Sequence, residues 1–107
     1  MIYDILPTGK ENAISATVLT DLIGCKDTRE LRLMIASERD AGQWICSSTS
    51  GGYYKPKNRA EIAEYYRMMT SRSMGNFRAS RWARNALKAM EGQQEIELIQ
   101  ERGLLWH

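Results

Sequence analysis

The sequence predicts a mainly helical α+β fold with one small β-hairpin, and three observations support this. Two short helical patterns are joined by a tight connection that contains glycine. A segment rich in β-forming residues follows, with turn-forming residues at its middle. A long helical pattern without proline comes after it. At 107 residues, with 43% hydrophobic and 26% charged residues, the chain has the composition of one ordinary globular domain.

The first two helices have clear start and stop residues. Ser15 stands in the N-cap position of the first helix, and Gly24 follows it at the position where a left-handed residue ends a helix at low cost. The second helix is capped by Asp27 or Thr28 and ends at Ala41. The expected apolar faces consist of Ala16, Leu19, Leu22 and Ile23 in the first helix and of Leu31, Met34 and Ile35 in the second.

The β-rich segment predicts a hairpin. Residues 44–48 and 52–55 form the expected strands, and residues 49–51 form the turn between them. Because side chains alternate between the two faces of a strand, we expect one of Tyr53 and Tyr54 in the core and the other in solvent.

A long C-terminal helix is the last predicted element. Asn58 and Glu61 form an N-x-x-E capping pattern, and a helical pattern continues from Arg59 to about Met90. Its two halves place their apolar residues on different faces, so we expect a kink or a break near Gly75.

The order helix, tight turn, helix, hairpin, helix is the layout of a winged helix-turn-helix. We expect this domain over residues 1–70 and a helical extension over residues 71–107, used for dimerisation or partner binding. In such domains the second helix fits the major groove, and the side chains at its N-terminal end reach the base edges.

The run from Gly9 to Asn58 also resembles small winged-helix proteins encoded by bacterial phages and prophages. The resemblance covers about residues 5–70 and implies a DNA-binding fold in a phage or mobile-element context. The matching segments are Gly9–Ile14, Leu22–Gly24, Glu38–Gly42, Ile45–Ser48 and Gly51–Tyr54.

Candidate DNA contacts fall on the second helix and the hairpin. Arg29 and Arg32 suit guanine edges or phosphates, although either could instead pair with Asp27 or Glu30 on a solvated face. We expect Glu38 and Asp40 to oppose phosphate near the end of this helix. The hairpin tip offers hydroxyls and backbone donors for phosphate contacts, and the alternative is an ordinary soluble turn. The full predicted set is Thr28, Arg29, Arg32, Leu33, Ser37, Ser48, Thr49, Ser50, Lys55 and Lys57.

Two faces of the long helix carry further predictions. A basic stripe of Arg78, Arg81, Arg84 and Lys88 could touch the DNA backbone, contact a partner or simply be solvated; a membrane-surface role is disfavoured. The opposite apolar face favours a homodimer over folding back on the same chain. That face consists of Trp82, Ala83, Ala86, Leu87 and Met90, with Ala79 beside them.

Charge and composition favour a binding protein over an enzyme or a metalloprotein. Residues 55–88 carry nine Lys and Arg against two Glu, which suggests either a polyanionic partner or a solvated helix face. The sole histidine is His107, so neither a histidine-based triad nor a histidine metal site is expected, and Cys25 and Cys46 suit small buried side chains. We therefore predict no catalysis, no metal and no cofactor. No apolar run is long enough for a membrane span and the first residues do not resemble a secretory leader, so we expect a cytoplasmic protein. The resemblance to phage and prophage proteins implies that the cell is a bacterial host.

These observations favour a phage-type winged-helix protein that binds double-stranded DNA. Its role would be that of a transcriptional regulator or of an accessory factor in recombination or replication. The alternative is a non-catalytic protein-interaction module. In that case the winged helix is a scaffold for binding a host or phage protein, for example as an inhibitor of a nucleic-acid-handling complex.

Overall fold

A computed structural model of the chain describes residues 1–71 and 75–90. The fold is α+β, mainly helical with a small three-stranded antiparallel sheet, which confirms the predicted class. A 3₁₀ turn spans Lys10–Asn12. The helices and strands are α1 (Ile2–Ile5), β1 (Ile14–Ser15), α2 (Ala16–Ile23), α3 (Thr28–Asp40), β2 (Cys46–Ser47), β3 (Gly52–Tyr54), α4 (Arg59–Thr70) and α5, which covers residues 77–90.

The helix starts follow from the capping residues of the sequence. Ser15, Asp27 and Asn58 each accept a hydrogen bond from the backbone N–H three residues further on, which satisfies a donor left free at the helix N-terminus. Gly24 ends α2 in the left-handed conformation, with φ of 81°. The bounds of α2 and α3 and the start of α4 are therefore close to the predicted ones.

The sheet has the order β1-β3-β2, so the hairpin strand β3 lies in the middle. Ile14 of β1 pairs with Tyr53, and Cys46 of β2 pairs with Tyr54. Gly52 lies where a side chain would not fit, because a Cβ there would come within 2.9 Å of the Cβ of Ala13. This close approach holds β1 against the hairpin.

Both faces of β3 are buried, so the prediction that one of Tyr53 and Tyr54 is exposed is wrong. Tyr53 faces what we call the first core, and Tyr54 faces the second core. Helices cover both sides of the sheet, which leaves no solvated face. The first core comprises Ile2, Leu6, Leu19, Leu31, Ile35, Ile45 and Tyr53. The second core comprises Cys46, Tyr54, Ile62, Tyr65, Met69, Ala79, Trp82, Ala83 and Ala86.

The long C-terminal helix is broken rather than continuous. α4 ends at Thr70, Ser71 adopts an extended conformation and Gly75 has a φ of 54°. Asn76 then begins α5, because its Oδ1 accepts a hydrogen bond from the backbone N–H of Ala79 at 3.1 Å. The helical pattern on both sides of the break is real, but each half buries its own apolar face.

The apolar face of α5 packs inside the same chain. Trp82, Ala83 and Ala86 are buried in the second core, and Leu87 and Met90 pack against it. The hydroxyl of Tyr65 in α4 also donates to the backbone carbonyl of α5 residue 79 at 2.7 Å. α4 and the sheet therefore cover this face within the same chain, which is the folding back that stood as the alternative to a dimer through it. The second core crosses the domain boundary expected at residue 70, and residues 91–107 of the expected extension lie outside the described residues.

Two predicted core residues are at the surface. Leu22 is 63% exposed, because the buried side of α2 centres on Leu19 and no described element covers the other side. Met34 is 37% exposed at the edge of α3, where its sulfur lies 3.5 Å from that of Cys25.

A buried carboxylate joins α3 to the N-terminal helix. Glu38 accepts hydrogen bonds from the backbone N–H groups of Ile2 and Tyr3, each at 2.9 Å. A carboxylate at this position also interacts favourably with the positive end of the α1 dipole. Because Glu38 is buried against α1, the expectation that it opposes phosphate is wrong.

We predict that Glu38→Ala lowers the free energy of unfolding by about 2 kcal/mol or more, because two backbone donors lose a charged acceptor. Urea denaturation measures the change. Asp21→Ala is the control, since Asp21 is an exposed acid and its removal should change stability by less than about 0.5 kcal/mol. Equal stability of Glu38→Ala and the parent would contradict the anchoring role.

We also predict that Ala83→Asp unfolds the protein or destabilises it by more than about 3 kcal/mol, because it buries a charge in the second core. Arg84→Asp, at the adjacent exposed position, should leave the fold intact. Circular dichroism and sedimentation velocity report folding and mass. A folded Ala83→Asp protein that merely sediments as a smaller species would show that this face is an interface between copies.

Candidate nucleic-acid interface

The outer face of α3 carries every side chain predicted for the second helix. Leu33 lies near the middle of this face, and its side chain is 62% exposed. Arg29 and Arg32 form no ion pair within the part of the chain that the structure describes. All five residues are exposed: Thr28, Arg29, Arg32, Leu33 and Ser37.

The carboxylates at the start of α3 accept hydrogen bonds from backbone N–H groups. Asp27 accepts a hydrogen bond from the N–H of Glu30 at 2.8 Å, and Glu30 accepts one from the N–H of Lys26 at 3.2 Å. The alternative in which these acids pair with Arg29 or Arg32 is therefore not the arrangement found.

The acids near the end of α3 do not oppose phosphate as expected. Glu38 is buried against α1, and Asp40 is paired with Arg78 of α5 at 2.6 Å and 3.2 Å. The Arg78 guanidinium holds the pKa of Asp40 below its usual range through this hydrogen bond. The same contact raises the pKa of Arg78. The α3 surface is thus less acidic than the sequence indicates.

Two hydroxyls of the hairpin tip, residues 48–51, are engaged in hydrogen bonds within the hairpin. Ser48 Oγ accepts a hydrogen bond from the N–H of Gly52 at 3.1 Å and lies 3.0 Å from Ser50 Oγ. Gly51 has a φ of 88°, as the tight turn requires. Thr49 and Ser50 are exposed, so they are the tip residues whose side chains can reach a partner.

Lys55 and Lys57 lie at the other end of β3 from the hairpin tip. The Lys55 ammonium sits 4.8 Å from the centre of the Tyr3 ring, and the Lys57 ammonium is 3.2 Å from a carboxylate oxygen of Glu11. The structure does not bring these two cations together with the tip.

The residues of the basic stripe of α5 differ in their contacts. Arg78 faces α3 through its ion pair with Asp40. The remaining stripe residues are exposed and form no ion pair with a described residue: Arg81, Arg84 and Lys88.

A cavity lies between α3 and the sheet. Arg39 lines it, although no sequence pattern marks this residue as functional. Arg39 donates through Nε to the carbonyl of Ile45 at 2.9 Å, and its guanidinium lies 5.3 Å from the centre of the Tyr65 ring. Its Nη2 is buried without a hydrogen-bond partner among the described residues, an arrangement that costs about 1–3 kcal/mol. The cavity measures about 330 Å³, and its polar lining is Arg32, Arg39, Arg78, Ser47 and Asn76.

Other reactive groups are buried for structural reasons. Burial raises the pKa of the Cys46 thiol to about 12, so it is neutral near pH 7 and packs as a small apolar group. Burial also raises the pKa of Tyr65 to about 12. Among residues 1–71 and 75–90, no cluster of His, Cys, Asp and Glu has the composition of a metal site.

Comparisons with known proteins give no match: no family model, no curated protein and no solved structure resembles the chain significantly. Within the described part of the chain, no helix is both long enough and apolar enough to cross a membrane.

We predict that Arg78→Gln raises the pKa of Asp40 towards its ordinary value, because the lost hydrogen bond is the main cause of the depression. Arg81→Gln should raise it less, since Arg81 contributes only through its charge. NMR titration of the Asp40 carboxyl measures both. A carboxyl with a depressed pKa stabilises the folded state at neutral pH, and this contribution disappears as the pH falls through the folded-state pKa. Identical pKa values for Asp40 in Arg78→Gln and the parent would contradict the pairing.

Proposed function

We propose that this protein is a non-catalytic, phage-type winged-helix protein that binds double-stranded DNA through the outer face of α3. The observation that carries the proposal is the presentation of Arg29 and Arg32, exposed and without an acidic partner among the described residues, on a helix beside a hairpin.

The topology supports the winged-helix assignment. The order of α2, α3, β2 and β3 is that of a helix-turn-helix followed by a wing. The strand β1, just before α2, pairs with β3 and thereby joins the start of the helix pair to the wing. In DNA-binding proteins of this layout, the second helix of the pair enters the major groove.

The side chains on α3 suit a base-reading surface. Arginine can donate two hydrogen bonds to a guanine edge, and an exposed apolar side chain such as Leu33 can contact a thymine methyl group. Thr49 and Ser50 at the hairpin tip can donate to phosphates, which positions a protein on DNA without reading sequence.

The test is duplex binding measured by fluorescence anisotropy at about 50 mM and 200 mM salt, because binding through cations weakens as salt rises. The double variant Arg29→Ala/Arg32→Ala should lose sequence preference. Its slope of log affinity against log salt should also fall by roughly one to two.

Arg67→Ala is the matched control, because Arg67 is an exposed arginine on α4, on the far side of the sheet from the first core. It should bind DNA like the parent. The proposal fails if the parent shows no salt-dependent duplex binding, or if the double variant and Arg67→Ala behave alike.

A second candidate function, the protein-interaction module, is favoured by a different surface. Val18 and Leu22 lie one turn apart on α2 and are 50% and 63% exposed. Exposed apolar patches of this kind mark protein contacts. Loss of partner capture in Val18→Ser/Leu22→Ser, in a protein that does not bind DNA, would support this function instead.

A further inference from the structure

The cavity between α3, the hairpin and the start of α5 concentrates positive charge in a concave site. Three of its lining residues are the arginines Arg32, Arg39 and Arg78, and no carboxylate is among the lining residues. The remaining polar side chains are Ser47 and Asn76. Apart from Tyr53, the rest of the lining is apolar. A cluster of cations over an apolar floor suits an anion with an organic group attached.

Arg39 is held in place before any ligand arrives. Its Nε is fixed on the Ile45 carbonyl and its guanidinium lies against the Tyr65 ring, so the side chain has little freedom left to lose. Its Nη2 is buried and has no hydrogen-bond partner among the described residues, so a ligand would reach this guanidinium through its other N–H groups. Guanidinium groups offer several donors in one plane, which matches the geometry of an oxyanion.

The neighbouring groups also present donors. Asp40 accepts from Nε and Nη2 of Arg78, which leaves the Nη1 of that guanidinium for another acceptor. Asn76 Oδ1 accepts a hydrogen bond from the N–H of Ala79, so the side-chain NH₂ of Asn76 is left to donate to a ligand. Arg32 forms no ion pair within the described ranges.

We propose that this cavity binds the phosphate group of a phosphorylated molecule. The donors converge from α3, β2 and the start of α5, and a phosphate has enough acceptor oxygens to engage several of them, as it does with paired arginines. The volume of about 330 Å³ is at the lower end of the range for small-molecule sites and leaves room for the group that carries the phosphate. The source is either a small molecule such as a nucleotide or the backbone of a nucleic acid. The inference does not depend on the proposed DNA binding.

The test uses inorganic phosphate and a nucleoside 5′-monophosphate as probes, titrated by NMR with the side-chain resonances of the arginines as the readout. The parent should bind both saturably. Arg32→Gln and Arg78→Gln should each weaken binding about tenfold, the loss expected for one charge-assisted hydrogen bond. Both side chains are exposed, so these variants should keep the fold.

Arg67→Gln is the matched control, because Arg67 is an exposed arginine on α4 that does not line the cavity. It should bind the probes within about twofold of the parent. Absence of saturable binding, parent-like binding by either cavity variant, or equal weakening in Arg67→Gln would each overturn the inference.

Competition with duplex DNA identifies the source of the phosphate. If the nucleotide displaces the duplex, the cavity holds a backbone phosphate; if both bind together, it holds a small phosphorylated ligand. If the duplex does not bind at all, the proposed function fails while the result with the two probes still decides the inference.

Discussion

The strand β3 is the constraint on which the fold depends, because both of its faces are buried although it is only three residues long. Tyr53 packs among the first three helices, and Tyr54 packs against α4 and α5. A shift of one residue in the strand register would exchange the two tyrosines between the cores. Gly52 opposes such a shift, because its contact with Ala13 leaves no space for a side chain at that position. The placement of every helix relative to the hairpin follows from this one register.

The orientation of α3 is set from both sides of the sheet. Its buried face packs into the first core through Leu31 and Ile35, and Glu38 joins it to α1. Arg39 extends from the same helix to the Tyr65 ring of α4, beside the second core. The Asp40–Arg78 pair then connects the end of α3 to α5. Because these contacts occupy its flanks, the remaining face of α3 is held in a fixed position relative to the sheet.

The sequence predicted the parts of this structure that depend on local chemistry. The capping residues Ser15 and Asn58, the glycine after α2 and the hairpin turn act over a few residues, and all lie where the patterns indicate. The parts that were wrong depend on which elements meet. Nothing local shows that α5 returns to cover Tyr54, or that Glu38 points at α1. The role of Arg39 is hidden for the same reason, since its partners are Ile45, just before β2, and Tyr65 on α4, and no spacing along α3 marks it.

The distribution of charge shows how a pattern in sequence can mislead about an interface. The basic third of the chain suggests a polyanion site of its own, yet its cations are dispersed in space. Lys55 and Lys57 contact Tyr3 and Glu11, and Arg78 contacts Asp40. A surface that binds DNA through α3 would therefore draw its charge from two arginines outside that third. With so few phosphate contacts, sequence-independent affinity would be weak and its dependence on salt shallow. Base contacts from α3 would then supply most of the discrimination between sites, and the hairpin hydroxyls would position the protein on the backbone.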